Sequence, residues 1–201
     1  MVMETGRSES KMDRKVTNDF TWPARVLISW LKSFFKHDPD FDYNDDESKT
    51  KIVVASAGAD LGNIKENIDR VIIARRNFES QVFTTDNRVE YNNKMYTYSV
   101  IKPKLGYVDI FCESINDVQA DYIASKIETA LTIHHNTLLE MNVGIGPLSI
   151  SDVRKPYSGS RFFSIMVAVP TMVVGKTVYT VKDPQMLQNI GIEFGIGNPL
   201  D

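Results

Sequence analysis

The stretch His37-Asp38-Pro39-Asp40-Phe41-Asp42-Tyr43-Asn44-Asp45-Asp46-Glu47 carries enough carboxylates to suggest a calcium loop. A loop of the EF type needs oxygen ligands at its first, third and fifth positions, glycine at the sixth and glutamate at the twelfth. Counted from Asp38, the last two places hold Tyr43 and Lys49; counted from Asp40, they hold Asp45 and Lys51. Neither register suits the ion, and the stretch reads as a solvated acidic connection. Gly175-Lys176-Thr177 ends like a phosphate-binding loop, but that loop needs a glycine five residues before Gly175, and Pro170 stands there. Gly144-Ile145-Gly146 would require a third glycine at position 149 for a dinucleotide fingerprint, where the chain has Ser149.

Single residues offer little more. His134 falls at the end of a helical apolar stripe, where a histidine helps the terminal carbonyls, and His37 is too remote in sequence to suggest a shared metal. Arg75-Arg76 follows an apolar run and reads as a charged strand end before it reads as a phosphate or carboxylate site. Cys112 is the sole cysteine, so no internal disulfide forms, and its place in an alternating run makes it a small buried hydrophobe. No G-x-S-x-G elbow and no H-E-x-x-H motif occurs. Neither a catalytic residue nor a cofactor is expected.

The elements around these residues are easier to read. Val108, Ile110 and Cys112 alternate with Tyr107, Asp109 and Phe111, the period of a half-buried strand. Asn116, with Gln119 three residues on, opens a helix that runs to about His134. Its stripe of Ala120, Ile123, Ala124, Ile127, Ala130 and Leu131 should lie on a sheet. Gly144, Gly146 and Pro147 then break the chain before a second alternating strand, Leu148 to Val153.

Upstream, Thr21 and Pro23 mark the start of a helix from Trp22 to Lys36. Val26, Leu27, Ile28, Trp30, Leu31, Phe34 and Phe35 spread over an arc of about 200°, wider than the roughly 100° that one docked face needs. Such a helix is covered from two directions, and a short domain has few spare elements, so a neighbouring subunit is expected on Ile28, Leu31 and Phe35. Strands are predicted at Lys51 to Ser56, Arg70 to Ala74 and Met95 to Ile101, the last joined by a turn at Lys102 to Lys104 to the strand from Leu105 in a hairpin. Arg161 to Val174 is a long strand that Pro170 places at a sheet edge or a bulge, and Thr177 to Val181 a short one. The architecture predicted is α+β: a single domain with a mixed, mostly antiparallel sheet of about five to six strands and two main helices.

The ends read differently. Residues 1–20 are polar and mixed in charge, too poor in apolar groups to offset the entropy of ordering, and are expected to form a flexible arm. Residues 21–181 make up the domain, and residues 182–201 an extended arm. In that arm Ile190, Ile192, Phe194 and Ile196 alternate with Gly191, Glu193, Gly195 and Gly197, an apolar edge suited to adding a strand to another chain. A net charge of -3 argues against binding nucleic acid over the whole surface. No stretch reaches the roughly 18 apolar residues of a membrane span.

The helix from Trp22 to Lys32, the strand Arg70-Val71-Ile72-Ile73-Ala74, the strand and helix from Tyr107 to Leu131, and Ile150-Ser151-Asp152-Val153-Arg154 before a long strand follow one another in an order that resembles the tail terminator or tail-completion proteins of tailed bacteriophages. The likeness runs from about Thr21 to Val181 and rests on class and spacing of residues. It implies a small α+β subunit that forms a hexameric ring, caps the tail tube and joins it to the head by shape, with no catalytic residue. The partners implied are further copies of the chain, the tail tube protein, a head-closure protein of the neck and, in a contractile tail, the sheath. Genomic DNA would pass through the lumen without sequence-specific contact. The place implied is the virion's tail and neck, after synthesis in the host cytoplasm. The long polar N-terminus and the glycine-rich C-terminal arm depart from the pattern, which keeps a head-closure or head-tail joining ring protein as the near alternative. From another class, a small nucleotide- or metal-dependent enzyme would hold its ligand at Gly175 to Thr177 or at His134-His135.

Overall fold

The computed structural model describes residues 13–17, 20–46, 48–59, 67–80, 86–92, 95–156 and 158–181. Their order is β1 (Asp13–Thr17), α1 (Trp22–Lys36), β2 (Ile52–Ser56), β3 (Asp69–Ser80), β4 (Asp86–Asn92), β5 (Met95–Ser114), α2 (Asp117–Ile133), α3 (His135–Glu140), β6 (Gly144–Ile145), β7 (Ser149–Ile150) and β8 (Phe163–Val181). The fold is α+β, with a mixed, mostly antiparallel sheet and two main helices. By contact the chain divides into two compact units, one of Asn18–Gln81 and Pro103–Val174, the other of Met1–Thr17, Val82–Lys102 and Gly175–Asp201.

In the larger unit β8, β5, β3 and β2 lie side by side, with β6 and β7 paired to β8. The β2–β3 pair is parallel, Val54 opposite Val71, and the β3–β5 pair antiparallel, Ile73 opposite Ile110. One face of this sheet presents Ile52, Val54, Val71, Ile73, Val108, Ile110, Cys112, Ile165, Val167 and Val169 to both helices, all within one core. The six apolar residues of the α2 stripe are buried. Each large aliphatic or aromatic side chain fully withdrawn from water here contributes roughly 1.5–3 kcal/mol. Cys112 is fully buried among them, and burial pushes its thiol far above the usual range, which leaves it inert.

The helix starts follow local chemistry. The Asn116 side chain accepts from the backbone N–H of Val118 at 2.9 Å and of Gln119 at 3.4 Å, satisfying two donors that the first turn of α2 leaves open. Gln119 does not reach back to complete a capping box; its Nε2 donates to Asp69 Oδ2 at 3.3 Å and ties α2 to the start of β3.

Several strands differ from the expected ones. β5 runs unbroken through Lys102 to Lys104, so the expected turn and hairpin there are absent. In the smaller unit β5 is registered with β4 up to Ile101, and in the larger unit with β3 from Lys104. The hairpin is instead β4 with β5, Asn92 opposite Met95. β3 continues past Arg76 to Ser80 through a register shift between Arg76 and Glu79, with Asn77 at φ 46°. The Arg75-Arg76 pair is therefore inside a strand and not at its end. Thr177 to Val181 is the continuation of β8 and not a separate strand. Between Leu148 and Val153 only Ser149–Ile150 forms a strand, with an isolated bridge beyond it from Arg154 to Ser164.

Pro170 behaves as its chemistry requires. Thr171 pairs with Ile145 and Ala168 with Ser149, so the interruption between β6 and β7 faces the residue that cannot donate. In the smaller unit, β1 pairs with the end of β8, Asp13 opposite Thr180 and Thr17 opposite Lys176. Asp13–Thr17 was expected in the flexible N-terminal arm; the ladder with β8 orders it without an apolar run. Residues 1–12, 18–19 and 182–201 of the expected arms lie outside the described residues.

The bulge in β3 depends on one glycine. Phe78 lies opposite Gly106, where a Cβ would come within 2.6 Å of the Phe78 ring and 2.8 Å of its Cα. Because a backbone atom is involved, a rotamer change cannot relieve the clash. Gly106→Ala is expected to cost about 1–3 kcal/mol, read as a lower urea midpoint at unchanged slope; an unchanged midpoint would show that the bulge yields freely.

Candidate functional site

Helix α1 organises the most distinctive surface. Its inner side sets Leu27, Leu31 and Phe35, each 0% exposed, into the core. Two of the residues expected to meet a neighbouring subunit, Leu31 and Phe35, are thus unavailable to one, and the third, Ile28, is half-buried against the same core. The missing cover comes from the chain itself. The connection after α1 folds back, Tyr43 N donating to Phe35 O at 3.0 Å, and places Phe41 edge-on to Phe35 at 5.4 Å between ring centres. Phe41 and Tyr43 are buried, so a stretch that reads as solvated supplies the second wall of the helix.

The same fold-back uses the acidic residues structurally. Lys126 on α2 reaches Asp38 Oδ2 at 2.7 Å and Asp40 Oδ2 at 2.8 Å, while the Tyr122 hydroxyl donates to Asp40 at 2.8 Å. The ammonium lies 5.1 Å from the ring centres of both Phe41 and Tyr122. Asp38, its side chain 7% exposed, also accepts from the backbone N–H groups of Asp40 and Phe41. Asp38 is therefore a buried latch on α2 and not part of a solvated loop.

On the opposite side α1 carries a groove of about 540 Å³ lined by Trp22, Arg25, Val26, Ser29, Trp30 and Ser33, closed at one end by Met141 beyond α3. Trp22 Nε1 donates to Met141 O at 3.0 Å, which fixes the indole and leaves its apolar body toward the groove. The Trp30 ring stacks on Phe34 at 5.7 Å and contacts His134 at 5.8 Å, so both tryptophans are held while only partly buried. Trp22 lies on the polar side of the helical wheel, and a stripe argument that collects neighbouring apolar residues passes over it. The usable signal was tryptophan among serines and an arginine, which burial alone does not require.

The sheet face turned away from the helices is the second surface. β3 presents Arg70, Ile72, Ala74 and Arg76 there, facing Glu113, Phe111, Asp109 and Tyr107 of β5. Arg76 Nε meets Asp109 Oδ2 at 3.0 Å with its guanidinium 4.9 Å from the Tyr107 ring, and Arg70 lies 4.3 Å over Phe162. Asp109 Oδ1 and Arg70 Nε are buried without hydrogen-bond partners among the described residues. Burial raises the Asp109 carboxyl above its ordinary value and Arg76 opposes the rise; burial likewise raises Glu113, opposed by Arg70. Removing the guanidinium would leave a buried, unpaired carboxylate. Arg76→Ala is expected to cost about 1–3 kcal/mol at pH 7, at the low end because Arg76 is itself partly solvated. An acid whose folded pKa is raised gains stability as pH falls through that pKa and gains no more below its ordinary value, 3.8 for Asp109. The deficit should therefore shrink between pH 7 and pH 4, and urea midpoints that differ equally at both pH values would refute the account.

The remaining sequence candidates separate. Gly175, Lys176 and Thr177 lie in extended β8, Lys176 and Thr177 paired with Thr17 and Val16, and no phosphate-binding turn can form there. His134 caps α2 beside Trp30, and His135 Nδ1 lies 3.1 Å from Thr132 O. Gly144 and Gly146 line a groove beside Pro170 and Met172, with Gly146 N donating to Pro170 O at 2.8 Å. Among the described residues no three metal-ligating side chains gather, and no helix is long and apolar enough to cross a membrane. Ile190, Ile192, Phe194 and Ile196 lie outside the described residues.

In comparisons with known proteins, no protein-family model matches the chain and no curated protein matches it.

Proposed function

We propose that the chain is a structural subunit of a tailed-bacteriophage neck, a ring-forming tail terminator that caps the tail tube and joins it to the head. The observation that carries this reading is the two-sided use of α1. One side is core, and the other holds two anchored, partly buried tryptophans around a groove, a composition typical of contact surfaces between proteins. The resemblance in element order and the α+β fold support it further. In this reading the copies form a hexamer, the tube and a head-closure protein meet its two ends, and genomic DNA passes through the lumen.

The test is to add the purified chain to tail tubes growing in vitro and to follow their length. Elongation that stops, with a ring of density at one end in electron micrographs, is the expected result. Tubes that keep growing, with the chain left unbound, would overturn the proposal.

A further inference from the structure

We infer that the outward face of α2 in one copy receives the segment from Ile150 to Lys155 of a second copy. The inference rests on the reading that copies assemble, and it names the surfaces that meet. With its apolar stripe turned into the core, the helical period sets Asp117, Asp121 and Glu128 along one edge of the outer face and Val118 and Ile133 along the other. Val118 is 72% exposed and Ile133 67%, more than any other large apolar side chain among the described residues. None of the three carboxylates is in an ion pair among those residues, and the single cation of the helix, Lys126, is held by Asp38 and Asp40. Such a face suits a partner that is both apolar and basic.

The chain carries that partner itself. From β7 onward Ile150 and Val153 are each 40% exposed, and Arg154 and Lys155 follow, both exposed. Arg154 is held by its backbone, its N donating to Ser164 O at 3.1 Å, and its guanidinium meets no carboxylate among the described residues. Lys155 rests 5.1 Å from the Phe163 ring centre and likewise has no ion pair there. Lys36, Lys49, Lys51 and Arg76, by contrast, each already hold a carboxylate. Asp152 is the one acid of the segment, and from Val153 to Lys182 the chain has five basic residues and no acidic one, although its net charge is -3. The two surfaces belong to different elements, so each copy can give one and receive the other, the heterologous contact from which rings close.

Charge reversal in the full-length chain tests this. Arg154→Glu with Lys155→Glu inverts one side, Asp121→Lys with Glu128→Lys the other, and a third chain carries all four changes. Association is followed by sedimentation at low salt, where exposed charges are least screened. Each one-sided reversal is expected to raise the concentration needed for association by about tenfold or more, and the fourfold chain to return to within about threefold of the unmodified one. A second measurement needs no variant: carbodiimide treatment of an equal mixture of light and isotope-labelled chains should join Lys155 of one to Asp117, Asp121 or Glu128 of the other. Association that survives either reversal, or associated copies without that cross-link, overturns the inference and leaves the assembly reading standing. No association of the unmodified chain up to millimolar concentration also overturns it, and the tube-capping assay then decides the neck reading separately.

Discussion

Phe35→Ala should lower stability by about 3–5 kcal/mol, enough to unfold much of a domain of ordinary stability. The ring is fully buried, edge-on to Phe34 at 5.1 Å and to Phe41 at 5.4 Å, so truncation opens a cavity between α1 and the fold-back connection. Those neighbours are fixed by the helix and by the Asp38 latch and cannot collapse into the space. Trp30→Ala provides the contrast: only partly buried, it should cost about 1–2 kcal/mol from its lost stack on Phe34 while removing a wall of the groove. Urea unfolding of both variants checks the pair of values. A Phe35→Ala chain that keeps its stability but fails to associate would return Phe35 to a surface role and contradict the core described here.

Lys126→Ala is the other large effect, expected at about 2–4 kcal/mol. It leaves Asp38 buried with a charge satisfied only by two backbone N–H groups, and removes the methylene stem and ammonium from the rings of Phe41 and Tyr122. The upper limit is held down because Asp40 is half exposed and water can replace much of its share. The pH dependence separates charge from packing. Burial alone would lower the Lys126 pKa, but hydrogen bonds to Asp38, Asp40 and Tyr122 outweigh it, and the net direction is upward from the ordinary 10.5. A base with a raised folded pKa contributes its full stability below the unfolded value and loses it as pH climbs toward the folded one. The unmodified chain should therefore lose stability from about pH 10.5 upward relative to Lys126→Met, which has no charge to lose. Parallel stability curves for the two proteins above pH 10 would show that the contacts are packing only. At the acid end the sign reverses: hydrogen bonds from Lys126 and Tyr122 lower Asp40, whose contribution is present above 3.8 and lost as pH falls through its folded value.

The bounds of α1, the buried stripe of α2 and the interruption opposite Pro170 are legible in the sequence because each follows from neighbouring residues. A helical period, an Asn cap and a missing N–H act over a few positions wherever the chain goes. The α+β class follows from the same local signals in order. What lies beyond a few residues was decided by partners remote in sequence. β3 extends past Arg76 because Gly106 leaves room for Phe78 across the ladder. The arc of α1 announced two-sided cover, but an arc states how much surface is hidden and not by what; the fold-back after α1 set Phe41 against Phe35. Asp38 reads as a loop carboxylate until Lys126, 88 residues later, lies against it. A loop has no period to reveal which side chains turn inward, so its buried charges and the groove left on the far side of α1 emerge only when the chain closes on itself.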